Sequence, residues 1–579
     1  MSLSDSERRQ AVDVLVRRLS LGGLQQLLAG GDRRAIDRIV TETEATSSND
    51  AGEPSADDVA QFLIDSFSTE LLMSRDVRML LATSLTDSQL MQLCDLADVA
   101  TYDGRSTQVT AVASRNWHPG KRWAREFAQV VGLPPAFAGA ATVPAAPDFE
   151  EIEPYRPLPD LQDFQDDLRL QLIDVLRGDS TENRGILSLP TGAGKTRTAV
   201  EACLEWWVGD RQGSGNLLWI AQSDELCEQA VQAFREVWLD RGHRERGRQL
   251  PTLTVHRLWG AGRAIPGGHG VIVASIQKLH TIFRSEDESN PKREALQELG
   301  GNIVAIVIDE AHSALAKSYS DVLGFLGAPF TARGHSPIPV AGLTATPFRS
   351  QDEETRLLVA RFHKRLLTPA CLPDEPLEFL RERGVLARPT HRVLASGARS
   401  VKLTEAHRKY LEDWKDFPPD YLAKLGQEAR RNRTILDALL GVDRSWPLLF
   451  FGCSVEHATA MVVLLRRAGR TAAAVTASTR PGTRRALIED FRSGRISALC
   501  NHGVLTTGFD APSVRAVCIA RPTTSVVLYE QMIGRGMRGP VFGGTPECLV
   551  IDIEDNVQFG GQMAYTRFQE YWAASDERS

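Results

Sequence analysis

The chain has 579 residues, 42% hydrophobic and 24% charged, with a formal net charge of −7 and an isoelectric point near 6.0. No run approaches the ~20 apolar residues that a membrane helix needs, and the opening "MSLSDSERRQ" lacks a signal-peptide core, so a cytoplasmic location and no membrane association are expected. The acidic balance argues against a positive coat for non-specific nucleic-acid binding, but it is compatible with a local basic channel.

The length predicts about three or four domains, and shifts in composition place them. Residues 1–150 read as a mostly helical accessory domain of unassigned role, with apolar residues at helical spacing in "RRQAVDVLVRRL" and "DDVAQFLIDSF". Between these, "TETEATSSNDAGEPSADD" is acidic and rich in small polar residues, which predicts a flexible loop. Segment 113–139 mixes Trp117, His118, Lys121, Arg122, Trp123 and Arg125. Such a mixture suits a nucleic-acid or protein-partner contact. The expectation is instead a helix with Trp123, Phe127 and Val130 inward and the basic residues in solvent. The proline- and alanine-rich stretch 140–160 marks a boundary.

Across 151–375 short apolar runs alternate with helical stretches: "ILSL", "NLLWIA", "VIVAS", "IVAIVI" and "IPVAGL". Runs that are apolar on both faces predict buried parallel strands. Residues 376–440 predict a charged, mostly helical connector, and 441–579 a second strand set: "PLLFF", "TAAAVT", "SALCN", "VRAVCIA" and "CLVIDI". The fold class is therefore α/β, two tandem parallel-sheet units behind a helical domain, with no repeat of the solenoid kind. The eight cysteines form no C-x-x-C pair and several sit in apolar runs, which predicts buried thiols rather than disulfides or a metal cluster.

The stretch "ILSLPTGAGKTRTAVEA" reads as strand, loop and helix. Thr191, Gly192, Ala193 and Gly194 would curl the backbone around an anion at the start of a helix, where free N–H groups point outward. Lys195 would reach the β- and γ-phosphates and the Thr196 hydroxyl would ligate Mg²⁺. Leu189 stands where the usual phosphate-loop pattern has its first glycine. Downstream, "IVAIVIDEAHSA" ends a strand at a carboxylate pair, where open α/β sheets bind ligands. Asp309 would hold Mg²⁺, and Glu310 would orient or deprotonate the attacking water.

Together "PTGAGKT", "DEAH" and "GLTATPFRS" resemble the motifs of superfamily 2 DEAH-box helicases and translocases, over about residues 155–560. Phosphate loops of this group often lack the first glycine, so Pro190 fits and Leu189 is no defect. The resemblance implies two RecA-like domains, ATP and Mg²⁺ as cofactors, and nucleic acid as partner. It implies adenine recognition by Gln165, backbone contacts by Ser275 and Gln277, and coupling of nucleotide state to domain closure by Thr344 and Thr346. In the second unit, "HGVLTTGFDAPSV" implies phosphate contacts by Thr507 and Gly508 and a ribose contact by Asp510. "YEQMIGRGMRG" implies a helix presenting Arg535 and Arg538 on one face to the γ-phosphoryl group, with Gln531 ahead of them. The layout is similar to RadD-like and XPB-like helicases and to type I and type III restriction motors, which implies DNA more than RNA. The cysteine cluster common in RadD-like proteins is absent. An RNA helicase, or a DNA-binding motor or sensor subunit of a defence complex, are the alternative readings.

Overall fold

The computed structural model describes residues 3–554 apart from 47–53, 98, 100–103, 140–148, 153–157, 179–182, 246–249, 261–264, 286–290, 332–336, 350–351, 374–375, 396–400, 415 and 506–512. Among the described residues of the first 139 are eight α-helices, with an apolar core that includes Leu15, Leu63, Leu81 and Phe127. The loop expected around "TETEATSSND" begins inside a helix: Gly31–Ala45 continues through Thr43, whose buried hydroxyl donates to Ile39 O at 2.6 Å. Apolar residues on the preceding turns bury this face, which overrides the polar composition of its last turn.

Eight strands make the first sheet: β1 (Phe149–Ile152), β2 (Arg184–Ser188), β3 (Asn216–Ala221), β4 (Leu253–Leu258), β5 (Gly270–Ser275), β6 (Ile303–Asp309), β7 (Val340–Thr344) and β8 (Leu366–Leu367). Their order is β1-β4-β5-β3-β6-β7-β2-β8, with only the β1–β4 pair antiparallel. Every residue of β2, β3 and β5 is buried, as expected for strands covered by helices on both faces.

The second sheet contains β9 (Arg388–Leu394), β10 (Leu448–Phe451), β11 (Ala472–Thr476), β12 (Ala498–His502), β13 (Ala516–Ile519) and β14 (Glu547–Ile553). It is wholly parallel, in the order β11-β12-β10-β13-β14-β9. The molecule thus carries two tandem RecA-like domains.

Strand β9 corrects the expectation of a purely helical connector over 376–440. It is an edge strand paired with β14, half-exposed and proline-containing, so it lacks the apolar run that reveals a buried strand. Core packing changes sheets just before it: Leu380, Val385 and Leu386 pack with the first sheet, Ala387 with the second. The accessory domain is seated on the second sheet's helices. Ile36, Ile39, Val40 and Phe62 share one apolar cluster with Ile435, Leu439, Met461 and Leu464.

Candidate nucleotide site between two sheets

Strand β2 ends in a loop that leads into the helix Lys195–Gly209. Gly192 and Gly194 have φ of 92° and 84°, the left-handed region that a side chain disfavours. A Cβ at Gly194 would also collide with the amide of Gln165. Leu189 and Ala193 are fully buried and anchor the loop from behind. Gln165 is buried too: its Oε1 accepts from Gln162 N–H at 3.0 Å and its Nε2 donates to Ala193 O at 3.1 Å. It braces the back of the loop. Thr191 and Thr196 stay partly exposed on the loop and the first helical turn.

Two strands from β2, across β7, strand β6 delivers Asp309 and Glu310 to the same end of the sheet. Glu310 adopts φ 51°, unusual for a residue with a side chain, and its N–H donates to Asp309 Oδ1 at 3.0 Å. Lys195 Nζ donates to Leu189 O at 3.1 Å, and burial pushes the lysine down while Glu310 and Asp309 pull it up. Burial and the Glu310 charge push Asp309 up, against Lys195. Burial also pushes Glu310 up, but His312, Lys195 and Arg535 outweigh it and hold this carboxyl below its ordinary value.

His312 is a functional candidate to which the motif alone gave no role. Its Nδ1 lies 3.4 Å from Glu310 Oε2 and 3.1 Å from Thr344 Oγ1. The Thr344 hydroxyl donates to Thr346 O at 3.2 Å and accepts from Thr346 N–H at 3.0 Å. The ring proton therefore belongs on Nδ1. The site thus has a buried path from Glu310 to the β7 loop, with Thr344 and Thr346 both in it.

The second sheet closes the site from the other side. The helix Val526–Ile533 carries Gln531, but it stops at Gly534, so Arg535 and Arg538 follow it in a turn rather than sharing a helical face. This turn approaches the phosphate loop closely. A Cβ at Gly534 would lie 2.6 Å from Thr191 Cβ, and one at Gly192 would lie 3.3 Å from Arg538 Cα. Backbone bonds from Ala387 to Met537 O and from Gly539 to Val385 O, each 2.9 Å, fix this turn. Arg535 Nε donates to Gln531 O at 3.3 Å, and its charge reaches Lys195 and Glu310. The buried Glu530 also acts on Lys195, a neighbour that sequence reading missed because a glutamate in an amphipathic helix ordinarily faces solvent.

The expected strand contacts are less open. Ser275 is buried and caps the helix Ile276–Phe283, accepting from Lys278 N–H at 3.3 Å. Gln277 is exposed and donates to Gln222 O at 2.8 Å. Thr507, Gly508 and Asp510 lie outside the described residues.

Residues 159–349 match the family model for the type III restriction enzyme res subunit, and residues 431–539 match that for the helicase conserved C-terminal domain. The chain belongs to the superfamily 2 helicase and restriction-motor family. Within this family it is similar to the candidate ATP-dependent helicase IRC3 of Saccharomyces cerevisiae, 27% identical over 68% of this chain and 51% of the relative. The candidate mitochondrial ATP-dependent helicase irc3 of Schizosaccharomyces pombe is 28% identical over 66% and 55%. The chain thus spans about half the length of the curated relatives it matches. Among solved structures, a fragment of a candidate HsdR subunit of a type I restriction enzyme from Vibrio vulnificus aligns at TM-score 0.46 and 20% identity, covering 71% of this chain and 67% of that one. Dbp5 of S. cerevisiae bound to RNA and ADP BeF3 aligns at TM-score 0.46 and 17% identity, covering 70% and 87%.

Proposed function

We propose that the chain is an ATP-driven DNA helicase or translocase whose hydrolytic site is assembled from both RecA-like domains. The observation that carries this reading is the seating of the Gly534–Arg538 turn on the phosphate loop. Lys195 and the loop N–H groups would bind the phosphates, Glu310 would position the water, and Arg535 and Arg538 would neutralise charge on the transferred phosphoryl group. Asp309, buried beside the Glu310 carboxylate and raised by it, is an oxygen donor that suits a hard divalent cation. Asp309 and the Thr196 hydroxyl would hold Mg²⁺, which would draw charge from the phosphate oxygens.

Hydrolysis then requires the two sheets to be together, and release of phosphate lets them part. Alternation of that kind moves a motor along a strand if each domain grips the backbone in turn. The likeness to the type III restriction res subunit supports DNA as the track. ATPase rates measured with single-stranded DNA, duplex DNA and RNA test the reading. Stimulation by DNA is expected; stimulation by RNA alone, or by none of the three, would refute it.

A further inference from the structure

The basic segment at 113–139 has no part in the nucleotide site, and the fold gives it an unexpected neighbour. Its aromatic residues are used for packing: Trp117 meets Phe127 edge-on at 5.7 Å, Arg78 lies over Trp117 at 5.3 Å, and Arg115 lies over Trp123 at 5.1 Å. Base stacking on Trp117 is therefore unavailable. The cations Lys121 and Arg122 are left outside. His118, Lys121 and Arg122 are exposed, and among the described residues Lys121 and Arg122 have no carboxylate partner.

A continuous line of contacts leads to this point from the strand ends of the first domain. Gln277 is bonded to Gln222, just ahead of the helix Asp224–Arg244. Glu225 in that helix's first turn pairs with Arg484 of the second domain, and Arg484 also donates to Thr476 O at 3.1 Å, where β11 ends. Beside Arg484 in the same helix, Thr483 and Ala486 line a small cavity whose other wall includes Trp117 and Pro119 of the accessory domain. The exposed Arg485 belongs to this same helix, Pro481–Arg492.

We propose that the nucleic-acid track continues past the second RecA-like domain onto the accessory domain, where His118, Lys121 and Arg122 hold the phosphate backbone of the same DNA strand. This rests on the motor reading above. Because Trp117 is buried and Arg115 covers the half-buried Trp123, the contact is electrostatic and independent of sequence. The accessory domain is fixed to the second RecA-like domain through the Ile39–Leu439–Met461 cluster and the Arg467–Glu44 ion pair. It therefore travels with that domain and lengthens its grip.

The test is fluorescence-anisotropy binding of the full chain and of its Lys121→Glu/Arg122→Glu variant to single-stranded DNA of increasing length and salt concentration. Circular dichroism checks the fold, and the milder Lys121→Gln/Arg122→Gln variant repeats the measurement if the reversal unfolds the domain. Short strands should bind both proteins alike. Long strands should bind the reversed variant about tenfold more weakly, with the slope of log K against log salt smaller by about 1.4. Equal affinity at every length would overturn the proposal while leaving the motor reading intact; an acidic protein as the true occupant of these cations would give that result. Equal weakening at every length would overturn it too, by placing the cations within the motor track itself. If the unmodified chain binds no DNA, the motor reading falls with it.

Discussion

Lys195 feels the charges of Asp309, Glu310 and Arg535 together, so its substitution removes the cation around which the phosphates would settle. Lys195→Ala should abolish both nucleotide binding and turnover in a filter-binding and phosphate-release assay. Glu310→Gln should separate the two. It should still bind ATP, with turnover about 10²–10⁴-fold lower, the usual loss on removing a general base; near-normal turnover would remove Glu310 from its assigned role. A second residue gives a pH dependence. His457 is fully buried, accepts from Cys453 N–H at 3.2 Å, and is pushed down to about 3 by burial, Arg431 and His502. The folded protein keeps this ring neutral while the unfolded chain protonates it below its ordinary value of 6.5. Its contribution to stability is thus complete above that value and is lost as pH falls toward 3, by about 2 kcal/mol at pH 5. Chemical denaturation of His457→Asn should show that much less loss between pH 8 and pH 5; an unchanged pH profile would contradict it.

At the level of elements, the turn Gly534–Arg538 matters more than the helix before it. Gly534→Ala puts a methyl group against Thr191 and should push the two sheets apart. ATPase activity should fall by about tenfold or more, since small misplacements of reacting groups weigh heavily, while the unfolding midpoint of the chain stays within a few degrees. The same turn shows how far the sequence could be read. The phosphate loop and the carboxylate pair were legible because each follows an apolar run, "ILSL" at β2 and "IVAIVI" at β6. The three-residue spacing of the arginines fits one helical face, whereas the backbone bonds to Ala387 and Val385 that hold them in a turn are a tertiary fact. Strand β9 is hidden because an edge strand needs no apolar run, β8 because two leucines are too short to read as one, and β1 and β4 because charged or polar residues interrupt them. His312 was visible as a letter of the motif, but its bridge to Thr344 joins residues 32 apart and has no local signature.

At the scale of the whole molecule, the accessory domain, whose helical pattern assigns it no role, is an extension of the second RecA-like domain. The face of Gly31–Ala45 that carries Ile36, Ile39 and Val40 packs against that domain, a pairing that helical spacing alone does not specify. Ile39 lies at the joint, and Ile39→Ala should cost it about 2–5 kcal/mol. Limited proteolysis should then release the accessory domain faster than from the unmodified chain, with nucleotide binding by the first domain retained; an identical digestion course would mean the joint is held elsewhere. The central claim is that hydrolysis needs both sheets at once, and the most direct measurement is single-turnover ATP hydrolysis by Arg535→Ala with saturating single-stranded DNA. The expected result is that ATP still binds and DNA no longer accelerates its hydrolysis. Turnover equal to that of the unmodified chain would show that the first domain hydrolyses ATP alone, and would contradict the account.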